Sequence, residues 1–165
     1  MVKYYNAMVV FEEIPDEITL AINITNCPCH CKGCHSKFLW EDNGTELTFD
    51  ELDKLIDKND GITTVCFMGG DATPDEIMDL AVYVRLKYGH LKIGWYSGRD
   101  DYYKDINFDF LDYIKLGHYD EELGGLNKPT TNQKLYKLIH EDLDEETKKI
   151  EFKDITHMFW KKGGK

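Results

Sequence analysis

The sequence predicts a single α/β domain built around parallel strands. Short apolar runs alternate along the chain with amphipathic segments of helical period, which is typical of parallel strands joined by crossover helices. The 165 residues suffice for one domain with a real core, and 42% of them are hydrophobic. Because fewer than the eight strands of a complete α/β barrel can be counted, we expect an incomplete parallel barrel that is open along one side.

The predicted strands are recognised by short apolar or alternating runs. Residues 18–24 alternate apolar and polar side chains with period two, whereas residues 62–68 are almost continuously apolar and indicate a buried strand. Further strands are expected at residues 91–96 and 113–116, an edge strand or extended lead-in at 4–11, and a last short strand at 150–155.

The predicted helices begin at capping signals. Thr48 and Thr73 each stand three residues before a glutamate, the spacing of a capping box, and each precedes an apolar helical face. Pro74 then occupies the first helical position of the second helix, where its missing N–H is not needed. A shorter helix is expected at residues 36–40, and residues 161–165 are expected to be disordered.

Four of the five cysteines lie within eight residues, directly after the strand predicted at residues 18–24. Cys27, Cys31 and Cys34 have the spacing C-x3-C-x2-C, and Cys29 is an additional thiol inside the first interval. Three thiolates can bind three irons of a [4Fe-4S] cube and leave the fourth iron open, as catalytic metal sites require. We predict that this loop binds a [4Fe-4S] cluster whose free iron chelates a substrate.

Other interpretations of the cysteines are a zinc site and a disulfide framework. The four thiols are too crowded for the two separated ligand pairs of a structural zinc site, although His30 or His35 could contribute. The chain is larger than the small disulfide-rich scaffolds, and Cys66 lies in an apolar run, where we expect a small buried side chain. For Cys29, a packing role and an incidental thiol both remain open.

At this loop the sequence resembles the radical S-adenosylmethionine (SAM) enzymes, whose hallmark is C-x3-C-x2-C. Glycine before the third cysteine, followed by His35 and Trp40, resembles the glycyl-radical activases of anaerobic ribonucleoside-triphosphate reductase. The resemblance covers roughly residues 15–135 of a single domain spanning 1–165, and it implies a partial barrel of the radical SAM type. It also implies that Gly33, Cys34 and His35 contact the cofactors, a [4Fe-4S] cluster and SAM.

The activity implied by the resemblance is reductive cleavage of SAM. One electron from the cluster would break the S–C5′ bond, giving methionine and a 5′-deoxyadenosyl radical. That radical would take a hydrogen atom from a glycine of the reductase and leave a glycyl radical there. The implied partners are the reductase, through its glycyl-radical loop, and an electron donor such as flavodoxin or ferredoxin.

Three further strand ends are candidates for the SAM site. Glycines such as Gly69 and Gly70 usually just permit a tight turn, but the resemblance implies that they and Asp71 hold the amino group of SAM. Ser97 could offer its hydroxyl to the ribose. Lys115 could meet the ligand carboxylate as a point charge, the alternative being a solvated lysine near a strand end.

Composition limits the partners and the compartment. The formal net charge of −11, from 31 acidic and 20 basic residues, argues against nucleic acid or an anionic membrane surface as the main partner. No apolar run approaches the ~20 residues that span a bilayer, and the first residues lack a signal-peptide pattern. Because clustered free cysteines need a reducing compartment, we expect a cytoplasmic protein.

Two other functions stay open on the sequence alone. A radical SAM enzyme of similar size could act on a free small molecule, as in deazapurine synthesis. Alternatively, the chain could be a non-catalytic iron–sulfur or zinc module. Cleavage of SAM would distinguish an enzyme from a module, and activity without a protein partner would distinguish the two enzyme types.

Overall fold

The eight strands that the structure describes form one mixed sheet that does not close. The structure is a computed structural model that describes residues 1–160, so the predicted disorder of residues 161–165 lies outside the described residues. The strands are β1 (Lys3–Val10), β2 (Thr19–Ile24), β3 (Thr45–Glu46), β4 (Thr64–Met68), β5 (Lys92–Tyr96), β6 (Tyr113–Leu116), β7 (Lys134–Asp142) and β8 (Lys148–Asp154). The α-helices are α1 (Phe49–Asp57) and α2 (Pro74–Lys87), and short 3-10 helices lie at Lys37–Leu39, Phe108–Phe110 and Thr156–Phe159.

The centre of the sheet is parallel and its two ends are antiparallel. In the order β3-β1-β2-β4-β5-β6-β7-β8, strands β2, β4, β5 and β6 run the same way and follow one another without a reversal. The pairs β1–β2 and β6–β7 are antiparallel. The predicted single α/β domain is thus confirmed, with an open mixed sheet; a barrel of the radical SAM type stays a prediction.

Both helices pack against one face of the sheet. Leu52 and Ile56 of α1 and Ile77 of α2 join a buried cluster with the strand side chains of that face, including Phe67 and Trp95. Helices on a single face are expected when successive parallel strands are neighbours and their crossovers have the usual right hand. None of the helices that the structure describes is long and apolar enough to cross a bilayer.

The two predicted capping boxes have different outcomes. Thr48 Oγ1 accepts a hydrogen bond from Glu51 N (3.1 Å), which confirms the N-cap of α1. Helix α2 begins at Pro74 as expected, but the Thr73 side chain makes no capping bond among the described residues. The Glu76 carboxylate instead accepts a hydrogen bond from Val2 N (2.9 Å), near the start of the chain.

The later part of the chain was predicted least well. The strand expected at residues 150–155 is β8, but β7 was missed because its run, KLYKLIHED, lacks strict alternation. The helix expected at residues 36–40 is a single 3-10 turn. After β6 the chain returns through residues 117–133 without a helix, so the next strand pairs antiparallel and the parallel series ends there.

The second face of the sheet, here called the helix-free face, carries Cys66, Met68, Tyr96, Tyr113 and Lys115. The turn after β1 folds over the half of this face nearest the amino ends of the parallel strands, here called its lower half. There Ile14 is fully buried against Cys66 and Tyr113. The prediction that Cys66 is a small buried side chain is therefore confirmed. Near the carboxyl ends of the parallel strands this face carries Lys115, which is close enough to Cys27, Cys29 and Cys31 for their charges to act on it.

Glu17 is a buried charge at the lower end of the helix-free face. Only 6% of the residue is exposed, and its carboxylate accepts hydrogen bonds from Tyr113 Oη (2.8 Å) and Thr64 Oγ1 (3.1 Å) and pairs with Lys92. Burial alone would raise the pKa of Glu17. The hydrogen bonds from Lys92, Thr63, Tyr113 and Thr64 outweigh burial and lower it.

Glu17→Gln should therefore destabilise the protein by about 2 kcal/mol at pH 7, because the charged acceptor of several donors is lost. A lowered pKa means that the wild-type advantage is complete above the usual glutamate value of 4.5 and declines as the pH falls below it. Urea unfolding from pH 7 to pH 4 measures the difference. Glu12→Gln, at an exposed position of the same turn, is the control; equal effects of the two substitutions would contradict the prediction.

Candidate functional site

The carboxyl ends of β2, β4, β5 and β6 lie side by side at one end of the sheet. Predicted site residues lie in or just after each of these strand ends. The cysteine loop follows β2, the glycine turn with Asp71 follows β4, and Ser97 follows β5, while Lys115 lies near the end of β6. In the ladder, Asn23, Met68, Tyr96 and Lys115 stand side by side in one row. The structure thus brings the predicted residues of four chain segments to one place.

The cysteine loop has an irregular backbone that is held from outside. Asn26, His30 and Gly33 have φ values of 62°, 44° and 75°, in the left-handed region. Cys27 N donates to Leu39 O (2.9 Å), and Cys34 Sγ accepts from Ser36 N (3.3 Å). The 3-10 turn that follows therefore anchors both ends of the loop.

The histidines of the loop are turned towards aromatic side chains. His30 stacks on Trp40 with ring centroids 4.6 Å apart, and His35 packs edge-on against Tyr119 at 5.6 Å. Within residues 1–160, no three His, Cys, Asp or Glu side chains converge tightly enough to hold a single metal ion. Zinc gathers its ligands around one ion, whereas a cube spreads its thiolates over separate irons.

Cys29 points inward, towards the loops that follow β4 and β5. A Cβ atom placed on Gly98 would lie 2.8 Å from Cys29 Sγ and 3.5 Å from Asp71 Oδ2. Burial, and then the neighbouring Cys27, Asp71 and Cys31, raise the pKa of the Cys29 thiol to about 12. Of the two interpretations left open by the sequence, this environment favours the packing role.

Asp71 joins the end of β4 to the end of β5. It is 6% exposed, and its carboxylate accepts from Ser97 Oγ (2.6 Å) and from Gly98 N (2.8 Å). Tyr103 Oη donates to the Asp71 carbonyl oxygen (2.5 Å). The expected roles of Asp71 and Ser97 in holding SAM stay predictions. In the structure, their hydrogen bond links the loop after β4 to the loop after β5.

Lys115 is a buried ammonium beneath the cysteine loop. It is 7% exposed, and its Nζ donates to the carbonyl oxygens of Ser97 (3.0 Å) and Gly117 (2.7 Å). Burial lowers the pKa of Lys115 to about 8, against the opposing effect of Asp71 and the thiols of the loop. The alternative of a solvated lysine is therefore wrong, and contact with a ligand carboxylate stays a prediction.

The two glycines after β4 have structural reasons of their own. Their φ values are +108° for Gly69 and +100° for Gly70, and a Cβ on Gly70 would lie 2.4 Å from the Ile77 side chain. The carbonyl oxygen of Gly69 accepts from Trp95 Nε1 (2.8 Å). The plain-turn interpretation accounts for both glycines, and their expected contact with the amino group of SAM stays a prediction.

A cavity of about 530 Å³ opens between the cysteine loop and residues 118–122. Lys32 Nζ pairs with Glu121 Oε1 at 2.9 Å across its rim, and a Cβ on Gly33 would lie 2.4 Å from Glu121 Oε2. Gly33 thus lets the acidic segment approach the loop. The sequence patterns did not predict that Asp120, Glu121 and Glu122 belong to the site. Their position shortly after the end of β6, a strand with a predicted site residue, could have indicated it. The cavity is lined by Cys29, His30, Cys31, Lys32, His118, Tyr119, Asp120, Glu121 and Glu122.

An open α/β sheet with a cysteine loop at the carboxyl ends of its parallel strands is compatible with an iron–sulfur cluster domain. Residues 18–123 match the family described as the 4Fe-4S single cluster domain, and the chain belongs to that family. The family occurs in proteins related to the radical SAM enzymes. No curated protein and no solved structure matches the sequence.

Substitution of Gly70 should test the packing role of the glycine turn. Gly70→Ala should lower the free energy of unfolding by at least about 2 kcal/mol, because it adds backbone strain at a positive φ and a clash with Ile77. Gly89→Ala is the matched control, since a Cβ there meets nothing closer than Arg85 O at 3.7 Å. Urea unfolding gives both values, and equal stabilities for the two variants would contradict the assignment.

Proposed function

We propose that this protein is a radical SAM enzyme that cleaves SAM reductively at its cysteine loop. The observation that supports the proposal is the meeting of a C-x3-C-x2-C loop with a buried lysine and a buried aspartate at one sheet edge. A closed electron-transfer site has no need of an inward-facing ammonium beneath the cluster loop. Buried ionisable groups with shifted pKa values are common at functional sites.

The residues of the loop fit a [4Fe-4S] cluster with three protein ligands. Cys27, Cys31 and Cys34 would hold it, because they have the C-x3-C-x2-C spacing. All four thiols of the loop are free and half-buried, and Cys29 differs in that its Sγ lies close to Gly98. When bound and reduced, such a cluster supplies the single electron that reductive cleavage of SAM requires. The same free thiols need a reducing compartment, so the cytoplasm is part of the proposal.

The chain's own part in this function is to bind and orient the amino acid end of SAM. Lys115 provides the positive charge at the base of the site, and a carboxylate would compensate its charge better than two carbonyl oxygens do. Asp71 would provide the negative charge for the ammonium group of SAM. Because Ser97 and Gly98 already hold Asp71 in place, no rearrangement of its side chain is needed before binding.

The proposed target is a glycine of anaerobic ribonucleoside-triphosphate reductase. The cavity beside the cysteine loop is open to solvent, and the parallel strands are not closed into a barrel that could enclose a small substrate. A glycine on a flexible loop could reach such a site, because its Cα has no side chain to block approach. An electron donor such as flavodoxin or ferredoxin would reduce the cluster.

Removal of each proposed ligand tests the cluster and the reaction together. After anaerobic reconstitution, Cys27→Ala, Cys31→Ala and Cys34→Ala should each abolish formation of 5′-deoxyadenosine from SAM and reductant. Cys29→Ala is the control within the same loop and should keep the absorption and paramagnetic signal of a reducible [4Fe-4S] cluster. Loss of the cluster in Cys29→Ala, with retention in one of the other three, would contradict the ligand assignment. A wild-type cluster that never yields 5′-deoxyadenosine would refute the enzyme and leave an electron-transfer module.

The partner is tested by adding the reductase. With SAM and reductant alone, the protein should release 5′-deoxyadenosine slowly; with the reductase, a glycyl radical signal should appear in step with that product. A reductase whose loop glycine is replaced by alanine should give no such signal, because the alanine methyl group blocks the approach and the radical site is changed. Efficient conversion of a free small molecule by this chain alone would refute the activase role and favour the deazapurine-type alternative.

A further inference from the structure

The outer edge of β1 is hydrogen-bonded over only part of its length. Strand β3 pairs with Lys3 and Tyr4, and the loop before it passes close by, since a Cβ on Gly44 would lie 2.3 Å from Tyr4 O. Among the described residues, no strand pairs with the outer edge of β1 beyond Tyr4. In an antiparallel ladder every second residue directs its N–H and C=O away from its neighbour, so residues 6–10 present unpaired backbone groups.

Apart from Asn6, the side chains along this free edge are apolar on both faces of the sheet. Met8 is opposite Ala21 on the helix-free face and is 45% exposed; Val9 is opposite Leu20 on the helix face and is 37% exposed. Phe11, just beyond the strand, is 68% exposed. A strand added to this edge would therefore remove apolar surface from water on both faces.

The two edges of the sheet differ in charge. The other edge strand, β8, has the sequence KKIEFKD, in which five of seven residues are charged, the usual protection of an edge against pairing. Residues 6–11 contain no ionisable side chain, in a chain of net charge −11. Two copies of so acidic a chain repel each other least where they meet through a neutral strand.

We propose that β1 is a dimer interface, on which a second copy of this chain pairs through its own β1, antiparallel and about a two-fold axis. An antiparallel pairing of identical strands is self-complementary and closes after two copies, unlike a head-to-tail contact. A different protein recognised by charge complementarity would require ionisable residues along the strand, and residues 6–11 contain none. The paired strands join the sheets of the two copies into one.

The geometry leaves both cysteine loops free in such a dimer. Tyr4 pairs with Ile24, just before the cysteine loop, whereas Val10 pairs with Thr19 at the start of β2. The free edge thus lies towards the end of the sheet opposite the cysteines. Dimerisation and the chemistry of the cluster are therefore separable, and each can fail without the other.

Sedimentation velocity and light scattering on the full chain, reconstituted anaerobically, test the proposal. We expect a mass twice that of the 19.3 kDa chain at micromolar concentration. Met8→Lys and Val9→Lys should each raise the dimer dissociation constant at least about 10-fold, because the two-fold axis brings like charges together. Met158→Lys is the matched control, since Met158 is 44% exposed and lies outside β1, and it should leave the dimer intact.

Hydrogen exchange shows whether the strand itself is the interface. The backbone amides of residues 6–10 should exchange more slowly as protein concentration rises in the wild type and in Met158→Lys, but not in Met8→Lys. Circular dichroism confirms that the variants are folded. A wild-type monomer at 100 µM would overturn the proposal, as would a dimer that survives both β1 substitutions or one whose 6–10 amides exchange independently of concentration.

Discussion

The parallel pairing of β2, β4, β5 and β6 fixes where the loops of the site and the two α-helices lie. Because these strands point the same way and follow one another without a reversal in order, four loops from distant parts of the chain meet at one edge. The same order places α1 and α2 on one face and leaves the other face without an α-helix; the 3-10 helix Thr156–Phe159 packs there instead.

This arrangement buries charges, and the two ends of the helix-free face deal with them differently. At the lower end, Glu17 is met by one ammonium and three hydroxyl groups, and its pKa falls below the usual value despite burial. At the cysteine end, the Lys115 ammonium has two carbonyl oxygens, and burial still lowers its pKa to about 8. The charge of Glu17 is compensated and stabilises the fold, whereas the charge of Lys115 is only partly compensated. A ligand carboxylate would complete that compensation, as in the proposed function.

The departures from the sequence-based prediction have physical reasons. Strand β7 lacks strict alternation because it is inside the sheet, paired on both sides, with a burial pattern set by its neighbours. Thr73 has the spacing of a capping box, but Glu76 accepts a hydrogen bond from Val2 N instead, a contact across more than seventy residues that no local pattern records. The inward direction of Cys29 depends on the space that Gly98 leaves open. In each case a contact distant in sequence overrides a local preference.

Local patterns in the sequence indicate most of the elements and the cluster. Alternating and apolar runs specified the four parallel strands, Thr48 specified the start of α1, and the spacing of Cys27, Cys31 and Cys34 indicated the cluster, because periodicity and spacing are local properties of the chain. Three features emerge only from the tertiary contacts: the antiparallel pairing at both ends of the sheet, the burial of Lys115 near the cysteines, and the unpaired neutral edge along half of β1. Burial, strand order and edge exposure depend on which distant segments become neighbours, and a linear pattern does not encode that information residue by residue.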